Sequence, residues 1–221
     1  MSKDPVSEFR AALVAAVAGF GLDQLSETHS AQLEKHYAML RKWNLKINLT
    51  RIVDAREAAK FHYAESLFGA KFILSSKTLL DIGSGPGFPA IPLAVVRPEV
   101  QVTALEVNQK KALFLKEAKD ELCLANLKVE PTRLEEFDWS GYDFLTSRAL
   151  DHAEAIFPSV IERLDANQRL MLYCAPDLIA KLEGQADNKI EIHPIPHSES
   201  RMLAIFSREQ ATDRTDPEGS N

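Results

Sequence analysis

Hydrophobic spacing divides the chain near residue 73. Before that point apolar positions recur at helical intervals. Residues 6–20 are rich in Ala and Leu with no Gly or Pro until Gly19, which predicts a helix stopped by Gly19 and Gly21. A second helix is predicted over Thr28–Trp43, with Leu33, Tyr37 and Leu40 on its inner face. The run from Trp43 to Thr50 alternates polar and apolar residues and is too short for a helix. It reads as a connector with Ile47 and Leu49 turned inward and Asn48 free. Asp54, three residues ahead of Glu57, signals the N-cap of a helix over Ala55–Lys71. His62 and Ser66, four apart, share a face of that helix, and spacing alone predicts a hydrogen-bonded, half-buried pair.

From Thr78 onward short apolar runs alternate with amphipathic ones. Strands are predicted at 78–82, 100–107, 127–130, 142–146 and 169–174, with two closing strands near 189–194 and 202–207. Helices are predicted at 89–96, 109–122 (capped by Asn108), 153–163 and 177–185, with a helical turn at 134–137. Alternating strands and helices imply an α/β fold: a mostly parallel sheet, helices on both faces, closed by an antiparallel edge hairpin. The expected organisation is an N-terminal helical layer (1–72) packed on a core (73–210), then a polar disordered tail (211–221).

The stretch TLLDIGSGPGFPAIPLA (78–94) reads as buried strand, glycine turn and helix start, with Pro89 suited to the first helical turn. Glycine tolerates positive φ and lets a ligand approach the backbone closely. The third glycine of a dinucleotide fingerprint is replaced by Phe88, so the match to a dehydrogenase loop is incomplete. Asp-x-Gly-x-Gly-x-Gly, beginning at Asp81, resembles instead the first motif of S-adenosyl-L-methionine-dependent methyltransferases. That resemblance implies cofactor contacts at Gly83, Gly85 and Gly87. Glu106 ends the next strand, nineteen positions beyond Gly87, where a carboxylate would accept hydrogen bonds from a ribose.

Composition adds limits. The 221 residues, 45% hydrophobic and 26% charged, suit one α/β domain with an appendage. The N-terminus MSKDPVSEFR lacks the layout of a signal peptide and no apolar run approaches a membrane span, so a cytoplasmic protein with no membrane partner is expected. Two cysteines, Cys123 and Cys174, exclude a cysteine-rich metal site, and no metal is expected; both read as reduced and buried. A net charge of −6 argues against nonspecific coating of nucleic acid. Within 41–60, however, Arg41, Lys42, Lys46, Arg51, Arg56 and Lys60 face only Asp54 and Glu57, a local +4 that leaves −10 elsewhere. One basic face on an acidic molecule is the expectation.

In parallel sheets ligands sit at the carboxyl ends of strands, and the fourth strand here ends in Thr146-Ser147-Arg148-Ala149. The Asn/Asp-Pro-Pro-aromatic motif of enzymes that methylate exocyclic amines is missing there, and neither cysteine is placed as a nucleophile. A ring-nitrogen lone pair needs no deprotonation, so a target such as guanine N7 is consistent with the lack of an obvious base.

RKWNLKINLT, the His62/Ser66 helix, DIGSGPGFPAIPLA, the segment LE-xxx-KKALFL, TRLEEF and TSRA run in one order from Arg41 to Ala149, with a weaker match at Ser200–Leu203. Together they resemble the bacterial 16S ribosomal RNA (guanine-N7) methyltransferase family, the glucose-inhibited-division protein B group. The resemblance implies a Rossmann-like seven-stranded sheet, S-adenosyl-L-methionine as cofactor, 16S ribosomal RNA or the small ribosomal subunit as partner, and a monomer. It implies cofactor contacts at Gly83, Phe88, Leu134, Glu135 and Arg148, with Glu106 on the ribose. Asn48, His62 and Arg148 become candidate catalytic residues, and Arg41, Lys46, Arg51 and Arg201 candidate RNA contacts. The chain departs from the family in carrying Glu65 for an aspartate after His62, and Tyr173-Cys174-Ala175-Pro176 where a Lys-Gly is usual. A noncatalytic cofactor- or rRNA-binding assembly factor and a small-molecule methyltransferase are the alternative readings.

Overall fold

The computed structural model describes residues 5–73, 77–184 and 188–208; the tail expected at 211–221 lies outside them. Seven strands form one sheet in the order β3-β2-β1-β4-β5-β7-β6. They are β1 (Thr78–Ile82), β2 (Gln101–Leu105), β3 (Leu127–Glu130), β4 (Phe144–Arg148), β5 (Arg169–Cys174), β6 (Asn188–Pro194) and β7 (Met202–Arg208). β1 to β5 pair in parallel, and β7 runs antiparallel between β5 and β6. The order reverses between β1 and β4, so the crevice for a ligand opens above their carboxyl ends, where Asp81 pairs with Thr146.

Alternation along the strands feeds two cores. Leu79 of β1, with Met171 and Tyr173 of β5, faces a layer made by α1 (Pro5–Gly19), α2 (Glu27–Asn44), the segment 55–72, α5 (Ala90–Val96) and α6 (Gln109–Glu121). Leu80 and Ile82, with Leu170 and Leu172, face α7 (Ala153–Glu162) and α8 (Pro176–Leu182). On α1, Phe9, Leu13 and Val17 are buried at four-residue spacing. The Phe9 ring stacks on Tyr37 of α2 with centroids 4.2 Å apart, and Leu33, Tyr37 and Leu40 are buried as the helical spacing predicts.

Three elements differ from the sequence reading. The helix expected over 55–71 is composite: α3 (Ala55–Ala58), a π-helical segment (Ala59–Ala64), α4 (Glu65–Phe68) and a 3₁₀ turn (Gly69–Phe72). Asp54 does cap it, accepting from the amides of Arg56 and Glu57. The π segment carries His62, and such bulges are frequent at functional sites. β4 begins at Phe144 rather than Tyr142 because the Asp143 carboxylate instead accepts from Thr78 N–H at 2.9 Å. Ser147 and Arg148 therefore belong to the strand. Pro89 is the N-cap of α5 rather than a residue of its first turn, and Cys123 is exposed, not buried. No described helix is long and apolar enough to cross a membrane.

Candidate active site

A cleft of about 610 Å³ lies above the carboxyl ends of β1, β2 and β4. The glycine loop forms its floor. Gly83 and Gly85 hold φ of +71° and +56°, values that L side chains resist, and both line the cleft. Gly87, also expected to touch the cofactor, lies outside the lining: at φ +94° its missing side chain leaves room for Ile91, whose Cδ1 would stand 2.5 Å from a Cβ. Glu106, just past β2, is buried at the cleft wall. Its Oε2 accepts from Gly85 N–H and its Oε1 from Asn108 N–H, each at 2.8 Å. The lone pairs still open on this carboxylate suit the hydroxyl donors of a ribose, so the residues fit the cofactor. Leu134 and Glu135, on the 3₁₀ turn Leu134–Glu136, line the far end.

At the opposite end three aromatic or cationic groups meet. His62 stacks on Phe88 with centroids 4.6 Å apart and planes 18° from parallel, and the Arg148 guanidinium lies 5.1 Å from the same ring. Arg148 Nη2 donates to His62 Nδ1 at 2.9 Å, and Nη1 donates to the Phe61 carbonyl at 2.5 Å. On its far side His62 Nε2 meets Thr50 Oγ1 at 2.8 Å. Burial, reinforced by the charges of Arg148 and Arg201, pushes the imidazole down to about 2, so it is neutral. Burial lowers Arg148 to about 10, with Glu65 opposing, which leaves it a cation near neutral pH.

Glu65 is the anion of this cluster. Its side chain is 1% exposed; Oε1 accepts from Arg201 Nη2 at 3.0 Å, and Oε2 stands 3.5 Å from Arg148 Nη1. Burial raises its carboxyl while the two arginines lower it. Beneath the loop, Asp81 Oδ2 accepts from Ala90 N–H at 3.2 Å; burial raises the carboxyl to about 7.

Other predicted residues lie apart. Asn48 is exposed and outside the cleft lining, although its neighbour Leu49 lines the cleft. Arg201 lines an adjoining cavity of about 280 Å³, together with Tyr173 and Cys174, and hydrogen-bonds the cluster through Glu65. Lys46 and Arg51 are exposed and Arg41 lies over the Tyr37 ring; among the described residues none makes an ion pair, whereas Arg56 pairs with Glu8. Ser66 bonds the His62 carbonyl, not its imidazole. Tyr173 donates its hydroxyl to the Ser66 carbonyl at 3.0 Å.

The sequence reading missed Asn44 and Thr50. Asn44 Oδ1 accepts from the amides of Leu49 and Thr50, and Nδ2 donates to the Thr50 carbonyl, closing the connector into a clamp. An asparagine at the end of a helix, a few residues before a polar-apolar alternation, is the signal that could have found it.

The chain is 44% identical over 134 residues to "Ribosomal RNA small subunit methyltransferase G" of Xanthomonas euvesicatoria, covering 60% of this chain and 63% of that one. It is 39% identical over 159 residues to the protein of the same name in Solibacter usitatus, covering 71% and 75%. The chain thus spans about 63% of the length of the Xanthomonas relative. Among solved structures, a ribosomal protein L11 methylase from Lactobacillus delbrueckii matches with a TM-score of 0.57 at 13% identity, over 68% of this chain and 80% of that one. TYW2 from M. jannaschii, in complex with AdoMet, matches with a TM-score of 0.52 at 18% identity, over 66% of this chain and 75% of that one. Both share the fold. The family model described as rRNA small subunit methyltransferase G matches residues 29–200, and the chain belongs to that family, GidB.

Proposed function

We propose that this protein transfers a methyl group from S-adenosyl-L-methionine to N7 of a guanine in 16S ribosomal RNA. One observation carries the choice of atom. His62, the buried imidazole of the cleft, has both nitrogens engaged, Nδ1 by Arg148 and Nε2 by Thr50, so neither can take a proton from a substrate. Guanine N7 attacks through its own lone pair and releases no proton, and alignment supplies most of the catalysis such a reaction needs.

The residues divide the work. Gly83, Gly85 and Phe88 would hold the amino-acid end of the cofactor, Glu106 its ribose, and Leu134 and Glu135 its adenine. Bound there, the cofactor supplies a sulfonium methyl with a neutral thioether leaving group. Arg148, fixed by His62 and the Phe61 carbonyl, would orient the base at the methyl-transfer point without shifting position. Arg41, Lys46 and Arg51 would contact phosphates, with Asn48 at the mouth, so that the N-terminal layer carries the RNA-facing surface. Arg201 would act at second hand by holding Glu65.

Methyl-labelled cofactor and small ribosomal subunits from cells lacking the gene provide the test. Label in the RNA supports the proposal. Cofactor binding without labelled RNA favours a noncatalytic binding protein or a small-molecule enzyme.

A further inference from the structure

Thr50 stands at the cleft wall with every hydrogen-bonding function but one committed. Its N–H donates to Asn44 Oδ1 and its carbonyl accepts from Asn44 Nδ2, both at 3.0 Å, which fixes the backbone. Its Oγ1 accepts from Ile52 N–H at 3.1 Å and lies 2.8 Å from His62 Nε2. The direction of that last bond is set on the other side of the ring. A guanidinium can only donate, so His62 Nδ1, which Arg148 meets at 2.9 Å, must be an acceptor. A neutral imidazole with a bare Nδ1 carries its proton on Nε2, and His62 therefore donates to Thr50. Both lone pairs of Oγ1 are then taken. What remains is the O–H, which can only donate.

We infer that Thr50 is a specificity-determining residue that donates a hydrogen bond to O6 of the guanine being methylated; this rests on the guanine-N7 reading above. The Hoogsteen edge of guanine offers two acceptors, N7 and O6, whereas that of adenine pairs the N7 acceptor with an N6 donor. N7 must keep its lone pair for the methyl group. O6 is then the acceptor left for a neighbouring donor, and an adenine amino group would confront the hydroxyl donor with a donor. A threonine free to rotate would accept or donate with equal ease; the Arg148-His62-Thr50 chain removes that choice.

The test compares Thr50→Val, nearly isosteric without the hydroxyl, and Thr50→Ser on reconstituted small subunits carrying either the natural guanine or 2,6-diaminopurine, whose 6-amino group replaces O6. The wild type is expected to favour guanine by about 10- to 100-fold, a normal range for one polar base contact. Thr50→Ser should keep that preference. Thr50→Val should lose it by slowing on guanine to the diaminopurine rate, with cofactor affinity by titration unchanged. An unaltered guanine preference in Thr50→Val, an equal fall on both substrates, or a matching loss of cofactor affinity would overturn the inference and leave guanine methylation intact. Wild-type protein that binds cofactor yet methylates neither substrate would bring down the underlying reading as well.

Discussion

Arg148 and His62 are joined through one hydrogen bond, 2.9 Å from Nη2 to Nδ1, that ties the end of β4 to the π-helical segment above the glycine loop. Both groups also pack against Phe88. Burial, reinforced by the charges of Arg148 and Arg201, keeps the imidazole unprotonated far below its ordinary range, to about 2, and the pairing occupies the nitrogen a general base would use.

Methyl transfer should therefore be indifferent to pH. With cofactor saturating, the single-turnover rate is expected to stay flat within about twofold from pH 6 to 9, since no catalytic proton is transferred in the step. A limb with a midpoint near 6.5 that persists in Asp81→Asn, and so does not come from the Asp81 carboxyl raised to about 7, would show a histidine acting as base and would contradict the assignment.

Acid stability reads out the second buried histidine. His36 lies wholly inside, Tyr63 hydroxyl beside its Nδ1 at 2.9 Å, and burial lowers it from 6.5 to about 3. Between those values the unfolded chain binds a proton that the folded one does not. Stability from this group is complete above pH 6.5 and falls as the pH drops to about 3. His62 acts in the same direction, while Asp81, raised from 3.8 to about 7, acts oppositely between pH 3.8 and 7. Urea unfolding of His36→Phe from pH 6.5 to 3 should show a slope shallower by about 1.4 kcal/mol per pH unit than the wild type. Equal slopes would mean that His36 is protonated in the folded protein.

The two loop glycines should differ in cost. A Cβ at Gly87 would fall 2.5 Å from Ile91 Cδ1 and 3.1 Å from Leu115 Cδ2, at φ +94°. At Gly85 the nearest atom would be 3.9 Å away, at φ +56°. Gly85→Ala is expected to destabilise by about 1 kcal/mol from left-handed strain alone, and Gly87→Ala by about 2 to 5 kcal/mol once overpacking is added. Chemical denaturation of both variants decides it; similar losses would show that strain, not packing, selects Gly87.

On the basic face, Lys46 and Arg51 are exposed and without ion pairs among the described residues. If each contacts a phosphate, replacing either by Ala should lower the dependence of log affinity on log salt by about 1 and weaken RNA binding, with cofactor affinity unchanged. An unchanged salt slope would remove that residue from the interface.

The sequence carried the fold well because the parallel strands are short apolar runs separated by capped helices, and because Asp54 and Asn108 both sit where the structure uses them as caps. The strand, glycine turn and helix start at 78–96, with the Glu106 carboxylate beside the turn, were legible for the same reason: they follow from local geometry. The cluster around Arg148 was not. Glu65 looked like a conservative exchange, yet it stands between Arg148 and Arg201, the latter 136 residues away in the chain, a relation no periodicity expresses. Asn48 drew attention as an unpaired polar residue, whereas Asn44 and Thr50 do the local organising through hydrogen bonds spanning six and twelve positions. The π segment also escaped, since one extra residue in a helical turn leaves the apolar pattern almost unchanged.

The most direct measurement is the position of the methyl group on the base. Small subunits from cells lacking the gene are treated with the protein and methyl-labelled cofactor, and the RNA is digested to nucleosides for mass spectrometry. The labelled product predicted is 7-methylguanosine, at one guanine of 16S ribosomal RNA. Label on an exocyclic amine, a ring carbon or a ribose oxygen would contradict the account, because each of those requires the proton acceptor or nucleophile that His62, bonded at both nitrogens, does not provide.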